Sequence, residues 1–200
     1  LGALFGEAPG YNEDIDRVPF VGLPGQFLDR CIVWAGESRA GTYVDNIVPY
    51  RPPDNRDPTF PEVLASQPRL IRTLQRVRPL VVGAVGKLSA RVFLGRAVDL
   101  YEDHGCAWWV DNKWLQWKGW VVPIHHPAYG LRTPDMLALT LYDVRMWAEK
   151  LQEIKGNAPR PAFPVRRDFD HVPAKLKDFK SARGLVGADT EGMYDSPWCS

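Results

Sequence analysis

Apolar runs and polar, Pro-rich loops alternate along the chain, and their periods separate strands from helices. Residues 1–5 read as a short apolar strand that stops at Gly6-Glu7-Ala8-Pro9-Gly10, a turn signal. Residues 42–48 form a second strand, and the continuous apolar run at 80–85 a third, of the kind covered on both faces. Residues 120–124 form the fourth. Helical periods lie between and after them. Residues 25–34 place Phe27, Leu28 and Cys31 on one side. Thr59 is positioned to cap a helix running to about residue 76, with Glu62 as its capping-box partner. Residues 87–94 form a short helix and 135–155 a long one, with Met136, Leu139, Met146 and Leu151 among its apolar positions. Strands alternating with helices predict an α/β fold, a three-layer α/β/α sandwich around a four-stranded, mostly parallel sheet.

Two stretches depart from this alternation. Residues 99–119 carry Trp108, Trp109, Trp114 and Trp117 among charged residues and glycines. A β-hairpin on the sheet edge is one reading, and a stacking surface for bases is the other. Residues 157–165 hold three of the 18 prolines and read as a linker. With 200 residues, the chain has room for one ordinary domain and part of another. The division expected is a domain at 1–155, a Pro-rich linker at 156–180 and the start of a further region at 181–200. Because the chain begins at Leu1 rather than Met, a missing N-terminal piece is expected.

Composition narrows the function classes. Hydrophobic residues make up 45% and charged residues 24%, which suits a packed core. Lys and Arg total 25 against 24 Asp and Glu, a net charge of +1 that excludes a histone-like or polyanionic protein. It leaves nucleic-acid binding open, since a local patch serves that purpose. Residues 63–98 contain no acid but carry Arg69, Arg72, Arg76, Arg78, Lys87, Arg91 and Arg96. That tract is either a phosphate-facing surface or a solvated helix face. The three cysteines, at 31, 106 and 199, form no CxxC pair, which argues against a disulfide framework or a Cys-based zinc site and fits a reducing, cytoplasmic compartment. No apolar run approaches the ~18–20 residues that span a bilayer, and no signal peptide is evident.

In an open parallel sheet the ligand crevice lies beyond the carboxyl ends of the strands. Three polar loops fall there, at 6–22, 49–58 and 125–134. The first offers Gly6 for close backbone approach, the carboxylates of Glu7 and Glu13, and Phe20 between a Pro and a Gly-bounded bend, where an aromatic face can stack on a planar ring. Its spacing is not the GxGxxG dinucleotide fingerprint. The second begins after Asn46, whose amide offers an acceptor and two donors in one plane, and continues through Arg51, Asn55 and Arg56. Either arginine could hold a phosphate. The third reads His125-His126-Pro127-Ala128-Tyr129-Gly130-Leu131-Arg132. Each segment alone has an ordinary structural reading: a surface loop, a turn residue, a structural histidine.

Together and in this order, GEAPG–x2–ED–x4–PFVG, DNIV–x2–RPPDNR–x–P and HHPAYGLR resemble the uracil-DNA glycosylase superfamily, in its family 4, thermostable-type branch. The resemblance covers about residues 1–155. It implies the same sandwich fold and hydrolysis of the N-glycosidic bond of a deoxyuridine flipped out of DNA. It implies that Phe20 stacks on the uracil, Asn46 bonds its polar edge, and Glu13 crowds out a thymine methyl beside Gly6. Asn55 would hold the attacking water. His126 would donate to O2, and Glu7 would offset the sugar cation. Leu131 would wedge into the base stack beside Arg132, with Arg51 and Arg56 near the phosphates. The family also carries a four-Cys iron–sulfur cluster. Two of its ligand positions fall upstream of Leu1, and the other two fall at Tyr50 and Gln67, neither of which replaces a thiolate. No iron–sulfur cluster is therefore expected, and no other cofactor for this domain.

Near the end, Gly184 to Gly192 resembles the first motif of DEDD-type 3′–5′ exonucleases, with Asp189 and Glu191 as Mg²⁺ ligands if such a domain were complete. The expected protein is a monomeric uracil-DNA glycosylase of a bacterial or phage-infected cell, with uracil-containing DNA as partner and an attached or associated DNA polymerase. The alternative is a catalytically weak or inactive uracil- or DNA-binding module fused to a phage-type polymerase or exonuclease.

Overall fold

The computed structural model describes residues 1–133 and 135–156. Four strands run parallel: β1 (Gly2–Gly6), β2 (Thr42–Asn46), β3 (Val81–Val85) and, counting ahead to the last in sequence, β5 (Trp117–Ile124). A fifth, β4 (Trp108–Asn112), lies antiparallel to β5 at one edge, giving the order β2-β1-β3-β5-β4. The periodicity predicts four strands; the fifth comes from the Trp-rich stretch, which is a hairpin on the sheet edge. Trp109 is exposed and packs edge-on against Trp120, with which it is in register. That pair sits toward the amino end of β5, away from the carboxyl edge of the sheet, so the tryptophans pack the hairpin and do not line the crevice.

Side-chain alternation along the buried strands divides the core in two. Ala3, Phe5, Val82, Ala84 and Val121 face one layer, closed by α3 (Phe60–Val77) and α4 (Lys87–Leu94). Leu4, Val81, Val85, Val122 and Ile124 face the other, closed by α2 (Leu23–Trp34) and α7 (Asp135–Ile154). Because both faces are covered, the strands read as unbroken apolar runs. Trp147 of α7 is fully buried. Side chains of this size contribute about 1.5–3 kcal/mol each on burial, which orients the helices firmly on the sheet.

The capping box at Thr59 and Glu62 is present, as the sequence predicts. The sequence pattern does not predict three short helices: α1 (Tyr11–Asp16) and α6 (Pro127–Arg132) fall in segments read as loops, and α5 (Leu100–Asp103) opens the Trp-rich stretch read as a hairpin. Each has six residues or fewer, too short for a helical period to register in the sequence. Among the described residues no helix is long and apolar enough to cross a membrane. The linker at 156–180, the region at 181–200, and Asp189 and Glu191 lie essentially outside the described residues.

A candidate active site at the carboxyl ends of the strands

Parallel pairing brings the ends of β1, β2, β3 and β5 to one edge, and Gly6 pairs with Asn46 in register. Gly6 is glycine for want of room. A Cβ there would meet the Asn46 amide oxygen and would lie 2.6 Å from the Phe20 ring. Asn46 and Phe20 therefore close on the same point. Phe20 sits at φ +59, the left-handed region that a bulky residue enters only when its surroundings hold it there. Its segment is pinned at both ends: the Gly22 N–H donates to Glu13 Oε1 at 2.9 Å, and Arg39 donates to the Pro19 carbonyl at 3.2 Å. The Phe20 ring in turn stacks on His126, with centroids 6.0 Å apart and planes 28° from parallel.

His126 caps α6. Its Nδ1 accepts the Ala128 N–H at 3.1 Å. A backbone amide only donates, so the proton of the neutral ring is on Nε2. Burial pushes the His126 pKa down to about 4; Glu13 opposes the shift and Arg132 adds to it. At neutral pH His126 is an uncharged donor. Glu7 follows β1 and accepts the Leu88 N–H at 2.8 Å. It fits because Gly86, at φ +94, has no side chain; a Cβ would strike the Glu7 carboxylate. Burial raises the Glu7 pKa to about 7, the Leu88 hydrogen bond lowers it, and nearby Asp57 raises it. Glu7 and His126 share a cavity of about 220 Å³ with Lys87, Tyr101, His125 and Tyr129.

The other sequence-predicted residues border this centre to different degrees. Asn55 closes an exposed 3₁₀ turn at Pro53–Asn55, with Arg51 Nε 3.4 Å from its Oδ1. Arg51 also lies over the Tyr11 ring at 5.4 Å. Arg56 is committed elsewhere: both terminal nitrogens reach Glu62 at 2.8 Å, which helps hold that carboxyl at about 2. Leu131 and Arg132 are exposed on α6.

Two sets of supporting residues carry no sequence signal of function. Arg69, from the acid-free tract, turns inward from α3. It donates to Asp45 at 2.7 Å, to the Asn46 carbonyl, and to the Ile47 carbonyl at 3.0 Å. Asp45 completes the clamp by accepting the Asn46 N–H at 2.8 Å. The backbone of Asn46 is thus fixed, while among the described residues its side-chain amide makes no hydrogen bond within the protein. Asp143 of α7 holds the end of β5 in a similar way, accepting the His125 N–H at 2.8 Å. The one available hint was polarity at core-facing positions, visible only after helix faces are assigned.

Comparison with known proteins agrees with this geometry. Residues 3–150 match the family described as the uracil DNA glycosylase superfamily. The chain is 37% identical over 154 residues to a type-4 uracil-DNA glycosylase of Saccharolobus solfataricus, covering 74% of this chain and 70% of that one. It is 35% identical over 136 residues to the Archaeoglobus fulgidus enzyme of the same description, covering 66% and 67%. It is 36% identical over 142 residues to that of Thermotoga maritima, covering 70% and 71%.

Proposed function

The chain belongs to the uracil-DNA glycosylase superfamily, and from that premise we propose how its residues release uracil from DNA. The observation that carries the reading is the convergence of Asn46, Phe20 and His126 around Gly6. The Phe20 face stacks on an extruded uracil. The Asn46 amide accepts from N3–H and donates to O4, a complement that cytosine does not offer. Glu13, drawn against Gly22, closes the side where a thymine methyl would sit.

Cleavage of the C1′–N1 bond leaves positive charge on the sugar and negative charge on uracil, most of it at O2 and N1. His126 Nε2–H, uncharged and fixed in its tautomer, donates to O2 as that charge develops, so it stabilises the transition state more than the bound substrate. Glu7, ionised above about pH 7, faces the sugar and offsets its charge. Asn55 holds the attacking water. Leu131 fills the space the base vacates, with Arg132 and Arg51 toward the phosphates.

The relatives are type-4 enzymes, and the resemblance implies an iron–sulfur cluster. The residues here do not fit one. A cluster takes four thiolates, whereas Gln67 donates to the Trp114 carbonyl at 2.7 Å and Tyr50 presents a phenol. Cys31 is buried in the core, where burial pushes its thiol up to about 12. We therefore assign the α3–hairpin junction to the Gln67 bond, and no step of the reaction passes through a metal centre. Iron and sulfide analysis of the purified protein checks this, with neither expected. Attachment to a DNA polymerase rests only on the Asp189-x-Glu191 pattern.

The experiment that tests the function is release of free uracil from a deoxyuridine oligonucleotide. The wild type releases it; His126→Ala slows release roughly 10²–10³-fold, the usual effect of losing one oxyanion donor; Asn55→Ala is also slowed. Binding without release by the wild type would support the alternative of a capture module.

A further inference from the structure

The reaction as assigned leaves one buried titratable cluster unused. Asp143 is fully buried between two imidazoles. His104 Nδ1 lies 2.5 Å from one carboxylate oxygen, and His125 Nδ1 lies 2.9 Å from the other. The second oxygen also accepts the His125 backbone N–H at 2.8 Å, and the Thr140 hydroxyl donates to the His125 carbonyl at 3.2 Å. These three side chains bring ligand-type atoms within 4.8 Å of one another. Both ring nitrogens bond directly to the carboxylate.

A carboxylate accepts and does not donate, so the neutral His125 ring carries its proton on Nδ1 and presents Nε2 as a lone pair. That Nε2 is buried without a partner, and His125 lines the same cavity as Glu7 and His126. Unpaired buried polar atoms destabilise a fold and are concentrated at functional positions. No donor of the described residues faces it, so its partner is water or a group of the substrate. The flipped nucleotide brings none to spare: its phosphodiesters carry no proton, its deoxyribose no free hydroxyl within the strand, and the uracil N3–H goes to Asn46, while the amines of the neighbouring bases stay with the strand. Water, the second substrate, remains.

We propose that His125, oriented by Asp143, is the catalytic residue that accepts the proton of the attacking water; this rests on the glycosylase reading above. The water oxygen forms its bond to C1′ as the C1′–N1 bond breaks, and the electron pair of that bond leaves with uracil. One water proton passes to His125 Nε2, and Asp143 balances the imidazolium. His125 returns the proton to solvent, and the uracil anion takes one up. The labour is thus divided: His126 serves the leaving base, Glu7 the sugar, and His125 the nucleophile, in the Asp–His arrangement that orients a general base.

The test is single-turnover release of uracil from a single-stranded deoxyuridine oligonucleotide, with oligonucleotide affinity measured separately and the wild-type imidazoles observed by ¹⁵N NMR. His125→Phe is expected to lower the rate constant roughly 10²-fold or more with affinity largely retained. Asp143→Asn, which no longer fixes the tautomer, is expected to fall between that variant and the wild type. The free wild type is expected to show Nε2 of His125 unprotonated. A His125→Phe protein as fast as the wild type, a loss that appears equally in DNA affinity, or a proton on Nε2 would overturn the proposal and leave the glycosylase reading standing. A wild type that releases no uracil overturns both. Should His125→Phe fail to fold, the wild-type tautomer and the Asp143→Asn rate still decide.

Discussion

The exits of β2 and β5 deliver Asn46 and His126, the two polar side chains we propose to read uracil, and each exit is held by a charged residue from a helix behind it. The means differ. Arg69 on α3 grips β2 through an ion pair that remains partly open to solvent and through two backbone carbonyls, without touching the Asn46 side chain. Asp143 on α7 grips β5 in a fully buried site, taking both a backbone N–H and an imidazole. A fork of donors such as guanidinium suits a strand end whose carbonyls lack partners. A lone carboxylate suits one whose N–H groups do. The first clamp leaves its recognition side chain free to bind, and the second builds the neighbouring histidine into a buried network.

Burial sets how each should fail. Asp143→Ala leaves the His125 N–H and two ring nitrogens without their acceptor, and unpaired buried groups cost about 1–3 kcal/mol each. Denaturant unfolding is expected to show a loss of roughly 3 kcal/mol or more; a loss below about 1 kcal/mol would mean that water replaces the carboxylate.

Glu7, just past the end of β1, is the next largest effect and depends on pH. Burial raises its pKa from the ordinary 4.5 to about 7, so the native state binds the proton more tightly than the unfolded chain. The associated stability is fully present below about pH 4.5 and is lost as pH rises to about 7, on the order of 3 kcal/mol in all. His126 acts oppositely: its pKa falls from 6.5 to about 4, so its contribution is lost as pH falls through that window. Between about pH 4.5 and 6.5 the two oppose each other, and nearer pH 7 the Glu7 contribution is the larger of the two, so Glu7→Gln should flatten the fall in stability there. The same substitution should remove the rise in uracil release expected near pH 7, read from single-turnover rates across pH 6 to 9.

Arg69→Met should act mainly through substrate. Its ion pair is partly solvated, and such pairs contribute about 0–1 kcal/mol, so Tm should move little while KM for deoxyuridine DNA rises as Asn46 loses its fixed backbone. Arg69→Lys, which reaches fewer acceptors, should recover part of that. Equal loss of Tm in the Arg69 and Asp143 variants would erase the contrast between the exits. Arg56→Ala is the smallest case, expected to leave Tm essentially unchanged because its bond to Glu62 is exposed. A large drop in DNA affinity would show that it leaves Glu62 for a phosphate.

Period and punctuation in the sequence were enough for the layers, the four parallel strands and the edge where loops converge, because strands covered on both faces leave apolar runs and glycines mark close approach. Phe20 stood out as an aromatic that no strand or helix period explains, whereas Gly6, Asn46 and His126 each had an ordinary reading alone and were joined only by the ordered motifs of the family resemblance. The short helices α1, α5 and α6 were not legible, since four to six residues make fewer than two turns, too few for a period to repeat. Nor were Arg69, Asp143 and the unpaired nitrogen of His125. Arg69 is one arginine among many in an acid-free tract, and Asp143 one acid in a helix. What sets them apart is the acceptor or donor each faces across the core, 22–24 residues away for Arg69 and 18 or 39 for Asp143. Hydrogen bonds between elements depend on which faces meet, and only the packed sheet and helices decide that.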